Sequence, residues 1–170
     1  MEFKRKIIVI LGPTASGKSA LAVKIANKIN SEIVSADSRQ VYKGLDIGSG
    51  KITKKEMGGI SHHCLDIVSP KKIFTVVDFK KHAEKAIEKI FAKNKVPIIV
   101  GGTGLYIQAL VDNIVLPKVK PDWKLRKELE KKTTEEMFAI LKKLDTERAK
   151  NIDAKNPRRL IRAIEIAKTL

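Results

Sequence analysis

The stretch Lys6–Ser19, "KIIVILGPTASGKS", decides the fold. Its unbroken apolar run, Ile7 to Leu11, predicts a strand buried on both faces of a parallel sheet, where neither side needs to be polar. Directly after it, Gly12 to Ser19, "GPTASGKS", fits the pattern G-x-x-x-x-G-K-[ST]. Gly12 and Gly17 allow a tight turn, so that after Pro13, which has no N–H to give, the successive N–H groups of Thr14, Ala15 and Ser16 point at one anion, at the positive end of the following helix. Lys18 adds a charge for the terminal phosphates, and Ser19 offers a hydroxyl to Mg²⁺. Most chains with this loop hydrolyse or transfer phosphate from ATP or GTP, yet a diphosphate on any organic group fits the same cradle.

Working outward, "GKSALAVKIANKI" (17–29) repeats apolar residues at helical spacing. "SEIVSAD" (31–37) reads as a second short strand and "VPIIVGG" (96–102) as a third. Between them, "FTVVDFKKHAEKAIEKIFAKN" (74–94) has Thr75 and Asp78 at capping-box spacing ahead of an amphipathic pattern. Strands alternating with helices predict an α/β fold, a P-loop NTPase-like core built on an open parallel sheet.

The character changes at "LPKVKPD" (116–122), where Pro117 and Pro121 bracket a basic connector. Everything after it reads as helix. Thr133 and Glu136 form a second capping-box pair, and Asn156 and Pro157 suit the N-cap and first position of "RRLIRAIEIAKTL". The expected organisation is a P-loop α/β core over residues 1–116 and a basic helical appendage over 117–170. The pattern stops at Leu170 without a glycine stop signal, which suggests a fragment or a reduced form.

With 170 residues, 43% of them apolar and 32% charged, the chain has the composition of a folded domain rather than a disordered one. The 35 Lys and Arg against 19 Asp and Glu leave a formal charge of +16, which concentrates polyanions, nucleic acid foremost, although lysine-rich surfaces also serve solubility alone. A single cysteine, Cys64, excludes an internal disulfide and suits a reducing compartment. The N-terminal "MEFKRKIIVILGPT" has basic residues before an apolar run too short for a signal peptide or a membrane span. These features predict a cytoplasmic protein, a monomer with no membrane contact.

Two strand ends carry the candidate chemistry. In an open parallel sheet the carboxyl ends of the strands line the ligand crevice. "VPIIV" ends in Gly101, Gly102 and Thr103, without the acid that an NTP hydrolase uses to hold Mg²⁺. "SEIVSAD" does end in an acid, Asp37, followed by Ser38, Arg39 and Gln40. An acceptor with three hydrogen-bonding neighbours suits reading a base edge or activating an amine, and Asp37 equally suits a turn cap. "HHCLDI" (62–67) has no second ligand pair at zinc spacing and reads as a structural or substrate-adjacent loop. Arg158, Arg159 and Arg162 flank the apolar stripe of Leu160, Ile161 and Ile164, either as a solvated face or as a grip on phosphates.

Taken in order, "GPTASGKS", "SADSRQVYKGLDIGSGK", "HHCLDI", "VGGTGLYIQAL", "PDWKLRKELE" and "NPRRLIRAIEI" closely resemble the tRNA dimethylallyltransferase (tRNA isopentenyltransferase) family, through nearly the whole chain. That family moves a dimethylallyl group from its diphosphate to the exocyclic amine of the adenosine on the 3′ side of a tRNA anticodon. The resemblance implies that Gly12 to Ser19 cradle the donor's diphosphate, with Mg²⁺ on Ser19. It further implies that Asp37 and Thr103 are catalytic, and that Asp37, Ser38, Arg39, Gln40 and Thr103 meet a flipped-out nucleotide. Arg126, Arg158, Arg159, Leu160, Ile161 and Arg162 would hold the tRNA. Family members are usually much longer, so the appendage is expected to be incomplete, and Cys64 stands where they carry an aliphatic residue. From the residues alone, two other readings stay open: a small-molecule P-loop kinase, and an RNA-binding fragment without catalysis.

Overall fold

A computed structural model describes residues 6–170, so the basic residues Lys4 and Arg5 of the N-terminal reading lie outside it. The chain divides into two compact units that meet in sequence at Leu116 and Pro117.

The first unit is a parallel sheet of four strands in the order β1-β4-β2-β3, where β1 is Ile8–Leu11, β2 Ile33–Ser35, β3 His62–His63 and β4 Ile98–Gly101. Helix α1 (Lys18–Lys28) follows β1, a short α2 (Lys54–Met57) precedes β3, α3 (Val76–Ala92) precedes β4, and α4 (Gly104–Val111) follows it. The period of two along the central strands sorts their side chains to two layers. Ile33, Ile98 and Val100 pack with Ala22, Val23 and Ala26 of α1. Val34 and Ile99 face the other way, onto Phe79, Ala83, Ile87 and Ile90 of α3 and Tyr106, Ile107 and Leu110 of α4. The Phe79 and Tyr106 rings stack with centroids 4.0 Å apart, joining α3 to α4.

Two sequence expectations change. Among the described residues β1 pairs with β4 alone and so sits at the sheet margin, where Val9 and Leu11 stay 38% and 60% exposed; the strands buried on both faces are β2 and β4. Local hydrophobicity reports a strand but not how many neighbours it has. "VPIIV" is the fourth strand in chain order, because His62–His63 pairs parallel to Ile33–Val34 as a two-residue strand too short to leave a sequence pattern.

Capping boxes form at Thr75/Asp78 and at Thr53/Glu56. The buried carboxylate of Glu32, at the start of β2, gathers Lys93 at 2.7 Å, His63 at 2.9 Å and Lys95 at 3.5 Å, tying the α3–β4 connection and β3 to the sheet. Burial by itself pushes its pKa up, but the hydrogen bonds and charges of Lys93 and His63 outweigh this and hold it at about 2.

The second unit contains α5 (Trp123–Leu129), α6 (Thr134–Leu144), α7 (Thr146–Lys150) and α8 (Pro157–Thr169). Leu129, Met137, Leu141, Ala149, Leu160, Ile161 and Ile164 form its core. Thr133 and Glu136 cap α6 reciprocally, and Asn156 accepts from the Arg159 N–H with Pro157 at the first turn of α8. Within this core lies one charge: Glu165 is 1% exposed and accepts from Arg126, Arg162 and the Asp122 N–H. Burial raises its pKa, and those donors outweigh burial to hold it at about 2.

Candidate functional site

β1 ends at the loop it predicts, and the loop's geometry explains its glycines. A Cβ on Gly12 would stand 3.0 Å from Ser16 Oγ, and Gly17, at φ +78°, sits where a side chain is strained. Ala15 also adopts a positive φ, 63°, so the backbone coils back on itself ahead of α1. No side chain caps that helix. Its first N–H groups therefore stay available to an anion. Lys18 folds over the loop, with Nζ donating to the Pro13 carbonyl at 2.8 Å.

The loop opens on a cavity of about 320 Å³. Thr14, Lys18 and Ser19 form one wall, Ser35, Asp37 and Gly101 the strand ends, and Gln40, Ser49, Gly50, Ile52 and His62 the far side. Asp37 Oδ1 accepts from the backbone N–H groups of Arg39 (2.8 Å) and Gln40 (3.2 Å), closing a turn. Oδ2 has no partner among the described residues. The same residue thus caps a turn through Oδ1 and lines the cavity.

Ser38, Arg39, Gln40 and Thr103 take different stations. Thr103 Oγ1 accepts from the Ser38 N–H at 3.0 Å and donates to Ser38 Oγ at 3.3 Å, bolting the β4 end to the β2 end. That junction is tight: a Cβ on Gly101 would lie 2.1 Å from the Ala36 carbonyl oxygen. Gln40 Nε2 donates to the carbonyls of Ser49 (3.3 Å) and Gly50 (3.2 Å), and the Arg39 side chain is exposed. The Ser49–Gly50 loop is held a second time by Lys51, whose side chain is 4% exposed and whose three N–H bonds meet Tyr42 O (2.9 Å), Asp46 Oδ1 (2.7 Å) and Asp66 Oδ1 (2.5 Å). Burial disfavours that ammonium, but the hydrogen bonds of Asp46 and Asp66 outweigh it and raise its pKa.

Ser35 is a cavity residue that sequence reading missed, and His62 joins it from the loop read as structural or substrate-adjacent. Ser35 had a usable signal, because it shares the period-two face of β2 with Ile33 and Asp37. His62 arrives only through the register of β3 on β2. Its Nδ1 donates to the Ile60 carbonyl at 2.9 Å, and burial holds its pKa below the ordinary value. Cys64 lies in the core, and burial pushes its thiol up to about 12, so it is inert at neutral pH.

The remaining candidates belong to the second unit. Arg158 and Arg159 are exposed at the start of α8. Arg126 and Arg162 are committed to Glu165, and the side chains of Leu160 and Ile161 are taken up by the core. No cluster of three or more His, Cys, Asp or Glu side chains suited to a metal occurs among the described residues. Nor is any described helix long and apolar enough to cross a membrane.

A parallel sheet whose first strand feeds a glycine-lysine-serine loop and a helix defines an α/β protein of the P-loop type. Residues 40–170 match the family model described as IPP transferase, and the chain belongs to that family. It is 46% identical over 170 residues to the tRNA dimethylallyltransferase of Oceanobacillus iheyensis, covering 98% of this chain and 54% of that protein. The full-length tRNA isopentenylpyrophosphate transferase of Bacillus halodurans superposes with a TM-score of 0.67 at 41% identity, over 97% of this chain and 56% of the other. A eukaryotic dimethylallyltransferase whose structures capture it acting on tRNA gives a TM-score of 0.79 at 35% identity, over 95% and 41%. The chain thus spans about half the length of the curated relatives it matches.

Proposed function

We propose that this chain carries the catalytic core of a tRNA adenosine dimethylallyltransferase. The observation that carries the reading is one cavity lined both by a phosphate loop and by Asp37, whose Oδ2 has no partner among the described residues. In this reaction the C1–O bond of dimethylallyl diphosphate breaks with its electron pair leaving on the diphosphate. The adenine N6 lone pair forms the new bond to C1, and the proton that N6 loses passes to Asp37 Oδ2. The loop N–H groups and Lys18, released from Pro13, bind the diphosphate and stabilise the charge it gains. Thr103, tied to Ser38, fixes the distance between the two strand ends.

Mg²⁺ fits the residues present: one hydroxyl, Ser19, on an open cavity beside a phosphate loop, without a protein cage, suits an ion whose other ligands are water and substrate phosphate. When bound it neutralises the leaving diphosphate. On the tRNA side, Arg39, Arg158 and Arg159 are the arginines of the predicted set left exposed to grip phosphates, while Arg126 and Arg162 maintain the helical unit through Glu165. A cytoplasmic setting accords with the tRNA-modifying relatives and with the free Cys64.

The test is incubation with labelled dimethylallyl diphosphate, Mg²⁺ and an unmodified tRNA carrying adenosine 3′ to its anticodon. Label in the RNA, abolished by omitting Mg²⁺, is the expected result. A second reading, tRNA binding without transfer, draws on the formal charge of +16. It predicts retained tRNA binding with no label incorporated. Turnover of ATP with phosphorylation of a small acceptor would instead return the phosphate loop to a kinase role.

A further inference from the structure

Trp123, the single tryptophan of the chain, opens α5 and is 56% exposed. A lone exposed apolar side chain is ordinary, but this one is mounted. The Arg126 guanidinium lies 5.1 Å from the ring centroid, within cation–π range. Arg126 cannot swing away, because Nε and Nη2 each bond a carboxylate oxygen of Glu165 at 2.9 Å, and Glu165 is buried in the core. The backbone on the other side is equally fixed. The Asp122 N–H donates to the same carboxylate at 2.6 Å, while Asp122 Oδ1 caps the Lys124 and Leu125 N–H groups at 3.0 Å. The indole is therefore backed by an immobile cation and held by a pinned helix start.

Its surroundings select the occupant. Residues 117–127 contain Lys118, Lys120, Lys124, Arg126 and Lys127 against one acid, Asp122. The four lysines are exposed and pair with no acid among the described residues. An apolar protein surface gains nothing from such a ring of cations, whereas an unpaired nucleotide brings a flat base and a phosphate together. We propose that Trp123 is a stacking platform for an unpaired nucleobase of the RNA substrate, with the flanking lysines on the adjoining phosphates. This rests on the tRNA reading above and adds to it a contact with a base rather than with the backbone. Arg126 acquires a different part from a phosphate grip: it stiffens and polarises the platform from behind.

The solitary tryptophan makes the test direct. The 170-residue chain is titrated at fixed salt with a hairpin RNA whose loop is unpaired, and with a fully paired duplex of the same stem. The hairpin is expected to quench Trp123 emission and the duplex to bind without quenching. With end-labelled hairpin, Trp123→Ala should weaken binding about tenfold or more at an unchanged salt slope, and Trp123→Phe should retain most of the affinity. Lys124→Ala with Lys127→Ala should instead reduce the salt slope. Hairpin binding that leaves emission unchanged and is indifferent to Trp123→Ala overturns the platform while sparing the tRNA reading. Emission that changes with protein concentration but not with RNA means a second copy covers the indole, which also overturns it. Absence of RNA binding even at low salt sinks the tRNA reading and this inference with it.

Discussion

Asp37 divides its labour between two oxygens, so the informative substitution keeps the amide-accepting one. Asp37→Asn retains Oδ1 for the Arg39 and Gln40 N–H groups but removes the base. It should lower kcat by about 10²–10⁴ with diphosphate affinity unchanged, read from steady-state kinetics alongside direct donor binding. Transfer at the wild-type rate would remove Asp37 from the chemistry. Gly101 is constrained for a different reason, since added bulk there meets backbone rather than a movable side chain. Gly101→Ala should destabilise the first unit by about 1–3 kcal/mol in denaturant unfolding, because β2 and β4 must part at the point where Thr103 meets Ser38. An unchanged midpoint would mean that the strands already have slack.

At the scale of elements, helix starts were the most legible feature, since a cap is a contact within four residues. Thr75, Thr133 and Asn156 all accept the backbone N–H their spacing implies. Asn156→Ala should cost the helical unit about 1 kcal/mol, measured as a shift in its unfolding midpoint with the slope unchanged; a null effect would put the start of α8 under the control of Pro157 and packing alone. Strand neighbours were not legible, because pairing is non-local: nothing in "HHCLDI" announces that two of its residues extend the sheet. The site divides the same way. The phosphate loop and Asp37 are contiguous motifs, whereas Ser35, His62 and the Lys51 clamp converge only once β2, β3 and the Gly44–Gly50 loop are folded. Arg162 did carry a local clue, an acid three residues on at Glu165, the spacing of a helical ion pair.

For the whole molecule, each unit has its own core and its own buried carboxylate, and both carboxylates are held at about 2 against an ordinary 4.5. A depressed carboxyl contributes its stability above the unfolded value and loses it as pH falls toward the folded one. Acid should therefore weaken both units between pH 4.5 and 2, by on the order of 2–3 kcal/mol each. Trp123 emission follows the helical unit separately. Glu165→Gln should make that unit less stable at pH 7 and flatten its acid limb so that the two curves converge near pH 2; parallel curves would deny Glu165 its role. The margin of the sheet has a colloidal consequence. Among the described residues β1 pairs on one side only and leaves Val9 and Leu11 exposed, a template on which another extended segment can grow. Concentrated solutions should scatter light through strand-to-strand accretion, and Val9→Lys should raise the concentration at which scattering begins, with the charge of a single gatekeeper at the rim setting how crowded this protein can become.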